Sequence, residues 1–296
     1  MWFLYVMIGN VLWSVSDVVG SMIMNRMERS SILVAWFFSI LQFLLLGMLY
    51  FLLPIQPVWT VAFAVTGLCS YIASLLYMRL LQDVDVSISS ISWVFLSLGI
   101  ALGSVMLFGD RWTLLQALGA VLSVSGSLWL ALWHKRVSRF ATLILIIATG
   151  LFYVPSFLLQ KAAYLHGVSV ANVFFWQLLF FDSFAFIIPL IIPSHRKHIL
   201  PFLGTVRPFF VVFIIAWVLM SMLAFIATTN AFMVGDASLV AIAENGQPFF
   251  IMLFAWIATF LSPKYAPKEI LTAQTMPVKI VSFFIVFIGL TLLAIP

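Results

Sequence analysis

Apolar residues run along this chain in blocks of about 20, the length a helix needs to cross a bilayer, and short polar clusters separate the blocks. Ten such blocks are read, at about 2–21, 31–53, 58–79, 86–108, 112–133, 141–163, 170–192, 208–231, 237–260 and 277–295. Each predicts a membrane-spanning helix. The first block has no basic leader and further spans follow it, so it reads as a span and not as a signal peptide. The connections are short, the longest being the stretches 193–207 and 261–276, which predict loops and leave no room for an extramembrane domain.

Composition gives the same picture. Of 296 residues 65% are apolar and only 8% are charged, and the mean hydropathy is +1.21. Soluble domains carry about 25% charged residues, so this chain cannot cover a soluble core of its size. Disorder is excluded by the same numbers. The net charge of +5 is spread over short clusters, which does not suggest nucleic acid. The single Cys69 excludes a disulfide framework and a cysteine metal site. The reading is an all-α integral membrane protein of ten helices.

Charge then orients the spans. Loops after the odd-numbered spans hold 12 of the 14 basic residues: Arg26, Arg29, Arg79, Lys135, Arg136, Arg139, Arg196, Lys197, Arg207, Lys264, Lys268 and Lys279. The even-numbered loops hold 2, Arg111 and Lys161. The positive-inside rule places the odd loops in the cytoplasm and both termini outside. The compact chain suits a multi-pass position in a bacterial inner (plasma) membrane; a eukaryotic organelle stays open.

The two halves of the chain resemble each other. At an offset of 140, Trp13 falls on Tyr153, Ser16 on Ser156 and Trp36 on Trp176. At 151, Asp85 falls on Asp236 and Ser87 on Ser238; at 163, Gly126 falls on Gly289. The offset grows where loops lengthen, as in a duplication, although apolar sequence also aligns with itself by chance. Both aspartates stand where a span begins, which suits the positive helix end. The expected organisation is residues 1–139 as one five-helix repeat and 140–296 as a second, inverted because five is odd. Inverted repeats are the architecture of alternating-access transporters, with substrate near the midplane.

The run Gly109-Asp110-Arg111-Trp112-Thr113-Leu114-Leu115-Gln116-Ala117-Leu118-Gly119, followed by Gly126, resembles the end of the first half in the drug/metabolite transporter superfamily, EamA type. The serines that open span 4 (Ser87, Ser89, Ser90, Ser92) and the segment Ala237 to Pro248 are similar to that family too. The resemblance implies a ten-helix secondary transporter and names no substrate. The chain departs from the pattern in having Asp110 where Glu is commoner, Ser97 in place of a first-half proline, and the longer stretch Ser262–Glu269 in place of the second-half turn. The family is usually drawn with both termini in the cytoplasm, the reverse of the charge-based orientation.

Three carboxyl groups fall inside spans: Asp17, Asp182 and Glu244. A charge at bilayer depth costs about 2.5–3.5 kcal/mol on insertion scales, so each is a candidate for a functional role. Glu244 stands beside Asn245 and Gln247, and Pro248 follows four residues on. The proline ring clashes with the carbonyl of residue 244 and removes a ladder hydrogen bond. A kink there gathers a carboxylate and two amides, which reads as a substrate site, with Glu244 as the proton-coupling candidate; the structural alternative is a Glu that holds the kink. Asp182 reads equally as interhelical hydrogen bonding or a cavity group. Asp17 either pairs with Arg26 or Arg29, or joins Trp13 and Ser16 in a pocket.

Trp13, Trp93, Tyr153 and Trp176 are the aromatic candidates for that substrate pocket, with packing as the alternative for each. Trp93 falls on Glu244 at the offset of 151. An aromatic wall beside a carboxylate suits organic cations or amphipathic metabolites. Stripes such as Gly99 and Gly103 read as close helix packing. His134, His166, His195 and His198 lie in loops or at span edges, and the cluster His195–His198 reads as a headgroup patch. No nucleotide, zinc or nucleophile motif is present, so neither an enzyme, a metal nor a cofactor is expected. The expected function is secondary-active transport of a small metabolite or drug-like solute, proton-coupled or by exchange. A small-molecule substrate and membrane lipids are the expected partners, with a monomer favoured. The alternative is a channel or a non-transporting membrane scaffold.

Overall fold

A computed structural model describes residues 1–28, 30–133, 140–261, 263–265, 267 and 275–295. The basic residues Arg29, Lys135, Arg136, Arg139 and Lys268, together with His134 and the boundary at residue 139, lie outside the described residues. So does most of the stretch 262–274. Among the described residues the chain is built from helices and the turns between them.

In chain order the helices are α1 (Trp2–Arg26), α2 (Ser31–Leu52), α3 (Thr60–Asp83), α4 (Val86–Ser89), α5 (Ser92–Phe108), α6 (Leu114–Trp133) and α7 (Phe140–Leu165). Then come α8 (Val170–Ile191), α9 (Pro193–Thr205), α10 (Pro208–Val234), α11 (Ala237–Ala243), α12 (Gln247–Leu261) and α13 (Met276–Leu293). Nine helical segments among the described residues are long and apolar enough to span a membrane, with α4–α5 and α11–α12 each counted as one. The apolar stretch described in α6, Leu114–Trp129, is shorter. The chain is a multi-pass membrane protein.

Polarity is distributed accordingly. Leu44, Met48, Val61, Leu102, Met106 and Phe260 are exposed, while Asn10, Ser39, Gln42, Gln160 and Thr228 are buried. Water cannot satisfy backbone groups in lipid, so the backbone closes its own hydrogen bonds in helices. Polar side chains then gain most by meeting one another inside the bundle.

Two expectations need correction. Residues 193–207 were expected to form a loop but contain α9, which opens with a proline at its start and buries Ile199 and Phe202. Helix i, i+3 spacing puts that pair on one face. Span 4 was also expected to be continuous but is broken, as span 9 is at the kink expected before Pro248. In the second half the break is a 3-10 turn at Glu244–Gly246, immediately before the proline that removes the hydrogen bond to residue 244. The first half has no proline there. Its break at residues 90–91 comes with serine hydroxyls that bond back to the helix: Ser89 Oγ donates to the Val86 carbonyl at 2.8 Å, Ser90 to Ser87 at 2.9 Å and Ser92 to Ser89 at 2.9 Å. Such back-bonding competes with the helical ladder.

Glycines bring backbones together where the seams are tightest. A methyl group on Gly289 of α13 would lie 2.7 Å from the Gly119 carbonyl of α6. On Gly150 of α7 it would meet the Ser92 carbonyl and lie 2.8 Å from the Leu96 nitrogen of α5. On Gly67 of α3 it would lie 3.0 Å from the Phe181 nitrogen of α8.

Both termini share one face of the bundle. Trp2 packs at Gly235, and Gln116 Nε2 donates to the Ile295 carbonyl at 3.5 Å. The turn between α5 and α6 meets the start of α11 there. Ser238 donates to Asp110 Oδ2 through its nitrogen at 3.1 Å and its hydroxyl at 2.7 Å, and Ser104 donates to the same oxygen at 2.6 Å. Lys161 Nζ donates to the carbonyl of Gly235 at 2.7 Å, at the C-terminal end of α10. An acid thus caps the start of one helix and a base the end of the one before it, as the helix dipoles favour. Burial works to raise the Asp110 carboxyl, but these hydrogen bonds and the Lys161 charge hold it below the usual range. Its contribution is present above about pH 4 and fades as pH falls through the lowered value. Asp236 works the other way: burial and the Asp110 charge raise it against the pull of Lys161, so its ionisation costs stability as pH rises. Asp110→Ala is expected to lower unfolding free energy by about 0.5–2 kcal/mol, the cost of a lost cap, measured by thermal unfolding in detergent.

Candidate functional site

A cavity of about 160 Å³ lies at the centre of the bundle. α1 supplies Trp13, Ser16 and Asp17; α3 supplies Ser70, Ser74 and Tyr77. Trp93 of α5 and Tyr153 of α7 face them, and α10 supplies Trp217 and Ser221. Glu244 and Gln247 enter from the break between α11 and α12, while Gln42 and Gln177 come from α2 and α8. No lysine, arginine or histidine lines it among the described residues.

The break positions the polar groups by giving up helical regularity. Asn10 Nδ2 donates to the Ala243 carbonyl at 3.1 Å, and Ser14 Oγ donates to the Gln247 carbonyl at 3.1 Å. These two α1 side chains take up backbone acceptors at the 3-10 turn, whose exposure in lipid would be costly. The turn then presents Glu244 and Gln247 to the cavity.

The two cavity carboxyl groups are held differently. Asp17 Oδ2 accepts from Gln247 Nε2 at 2.7 Å. The Tyr77 hydroxyl and the Trp93 indole are near Asp17 but form no hydrogen bond among the described residues. Glu244 Oε1 accepts from Thr228 Oγ1 at 3.4 Å, a long contact. Trp13 Nε1 in turn donates to Thr228 Oγ1 at 3.1 Å. Asp17 therefore has one short hydrogen bond, whereas Glu244, with one long contact, keeps acceptor capacity in the cavity lining. Trp93 forms the aromatic wall, with ring centroids 4.9 Å from Tyr77 and 5.4 Å from Tyr153.

Of the candidates read from the sequence, Trp13, Asp17, Trp93, Tyr153, Glu244 and Gln247 meet in this cavity. Three others lie outside its lining. Asn245 points the other way round the turn and pairs with Ser97 of α5, its Nδ2 donating to Ser97 Oγ at 3.1 Å. Trp176 sits near the terminal face, where its indole donates to the Gln56 carbonyl at 2.7 Å. Asp182 is 0% exposed, and neither carboxyl oxygen has a hydrogen-bond partner among the described residues. Pro248 follows the turn as expected and is buried.

An unpartnered buried polar group costs about 1–3 kcal/mol. Asp182→Leu, which keeps the branching of the side chain, is expected to raise stability by that amount in thermal unfolding. An unchanged or lower melting temperature would mean that the carboxyl has a role in the fold.

Sequence reasoning missed Ser70, Ser74 and Tyr77, and Trp217 with Ser221. Their signal was available: the first set recurs at four- and three-residue steps and the second pair is four apart, which places each on one helical face. Serines at that spacing read first as packing stripes in a membrane helix.

Interhelical contacts flank the cavity toward each face. On the terminal side Gly67 brings α3 against the α8 backbone at Phe180 and Phe181, and Trp176 stacks on Phe180 at 5.9 Å. Gln56 N also donates to Asn172 Oδ1 at 2.8 Å. On the opposite side the contacts are made by rings. Phe38 of α2 packs against Trp217 of α10 at 5.2 Å, and Phe37 lies 5.5 Å from Phe210 and 6.1 Å from Phe202 of α9.

No protein-family model and no curated protein matches the chain. A solved crystal structure, described only as that of a protein, has a similar fold, with a TM-score of 0.70 at 16% identity. The similarity covers 99% of this chain and 96% of that one. At this identity the likeness shows the fold alone.

Proposed function

We propose that the protein is a secondary-active, alternating-access carrier of a small solute, built as two inverted five-helix repeats. The observation that carries this reading is the central cavity lined by two carboxyl groups, Asp17 of α1 and Glu244 at the broken helix. Broken helices at a midplane site are a recurrent feature of secondary transporters.

Helix pairing supports the repeat. α1 packs on α10 and α7 on α3, and these pairs exchange under a swap of the two halves. Each pair carries a buried hydroxyl contact: Ser16 with Ser221 at 2.8 Å, and Ser156 with Ser70 at 2.6 Å. Ser16 and Ser156 are the residues related by the offset of 140. The pairs α6–α13, α2–α8 and α5–α11 join equivalent helices of the two halves. The resemblance to EamA-type drug/metabolite transporters agrees with this arrangement.

The contacts on the two sides of the cavity are the proposed gates. The contact at Gly67 is a backbone approach, whereas that at Phe38 and Trp217 is made by side chains, so the face away from the termini is the one that opens at lower cost. The basic loops assign that face to the cytoplasm of a bacterial cell, with both termini outside. Glu244, with its spare acceptor capacity, is the group through which protons couple. A monomer contains the whole site.

Counterflow tests the reading. Proteoliposomes preloaded with an unlabelled solute that stabilises the protein are expected to accumulate labelled solute transiently above equilibrium. A channel, the alternative reading, would dissipate gradients with no overshoot, and a scaffold would move nothing.

A further inference from the structure

We infer that the cavity selects a small organic cation with one aromatic ring or a body of that size, its ammonium group exchanging with a proton at Glu244. The inference rests on the central-site reading above and gives it a substrate class. Asp17 and Glu244 both line the cavity, and no basic side chain among the described lining residues balances them. Buried charges are paired or neutralised. The positive complement must then come from outside the chain, as protons or as a cationic ligand.

The two acids divide the work. Asp17 already accepts from Gln247 at 2.7 Å, so it is the less available of the two to an ammonium group. Glu244 has one long contact, with Thr228 at 3.4 Å, and is free to bond an ammonium group. The joined rings of Tyr77, Trp93 and Tyr153 present aromatic surface to the same space, which attracts a cation and packs an apolar body. Size follows from volume. The cavity measures about 160 Å³, and an apolar cavity of about 150 Å³ accommodates a benzene ring. The exchange is balanced in charge: the proton leaves Glu244 for water as the cation arrives and returns when the cation departs.

Benzylamine, benzyl alcohol and benzoate test the inference, because they share a ring and differ in charge. Binding to the purified full chain in detergent is measured at pH 6 and pH 8 by tryptophan fluorescence and thermal shift. Benzylamine is expected to bind at least tenfold more tightly than the alcohol, with no binding of benzoate. Its affinity should rise with pH by up to tenfold per unit, the signature of one competing proton. Glu244→Gln is expected to abolish that pH dependence. Asp17→Asn should weaken binding and leave the dependence in place. Equal binding of the alcohol or benzoate, or benzylamine binding in the wild-type protein that ignores pH, would overturn the inference without recourse to any variant. Counterflow separates it from the carrier reading. Counterflow of benzoate or benzyl alcohol with none of benzylamine overturns the cation class and keeps the carrier. Selective, pH-dependent benzylamine binding without counterflow supports the site and counts against the carrier.

Discussion

Glu244→Gln is expected to reduce solute uptake driven by a pH gradient to the background of empty liposomes, with thermal stability retained. The side chain lines the cavity, and its one hydrogen bond there is the 3.4 Å contact from Thr228. Glutamine keeps the shape and an acceptor for Thr228 but cannot carry a proton. The 3-10 turn itself is held by Asn10 and Ser14 through backbone carbonyls, so it does not depend on the carboxylate. Loss of a charge-assisted contact is worth about 1.5–3 kcal/mol, which is roughly a tenfold to hundredfold change in affinity for a charged solute. Uptake is checked with an internal pH dye and labelled solute, and folding by thermal unfolding of the same preparation. Unchanged proton-coupled uptake would remove Glu244 from the mechanism.

The second large effect is structural. Gly150→Leu is expected to prevent stable assembly of the bundle, or to lower its stability by about 3 kcal/mol or more, beyond ordinary overpacking at 1–3 kcal/mol. The first added carbon alone would meet the Ser92 carbonyl and the Leu96 nitrogen of α5, and backbone cannot swing aside as a side-chain tip can. Displacing α5 moves Trp93, and displacing α7 moves Tyr153, so a folded remnant should also lose ligand binding. Gly47, which would meet nothing within 4 Å, is the control: Gly47→Leu is expected to leave melting temperature and binding essentially unchanged. Size-exclusion profile and melting temperature distinguish the two variants.

Much of the fold was legible because lipid imposes a simple rule. Blocks of about 20 apolar residues have few alternatives to a spanning helix; the boundaries of α2 and α8 fall close to those expected, while α1 continues to Arg26, past its expected end. The short helix α9 was not legible because its apolar residues are few and its polar ones many, so it resembles a loop. The break in span 9 was announced by Pro248. The break near Ser90 was not, since serine back-bonding depends on which rotamer the tertiary structure selects.

The site was legible where chemistry is expensive. Asp17 and Glu244 stood out because a carboxyl group in a span demands a reason. Asp182 stood out equally, yet it lies outside the cavity lining, because cost alone does not say which way a helix faces. Asn245 and Trp176 were misplaced by the same ambiguity: both neighbour true lining positions in sequence or in the repeat, and a rotation of about 100° per residue turns them elsewhere. Tyr77 and Trp217 were hidden among many aromatics whose usual place is packing or the membrane interface.

The most direct test of alternating access is a pair of distances measured on one preparation. Spin labels at Val61 of α3 and Ala171 of α8 report the seal near the termini. Labels at Ile32 of α2 and Val212 of α10 report the opposite one. Double electron–electron resonance in nanodiscs, at acidic and alkaline pH, gives both distance distributions. Alternating access predicts two populations for each pair, shifting in opposite senses, so that one seal opens as the other closes. Seals that open together, or distances that stay fixed under both conditions, would contradict it.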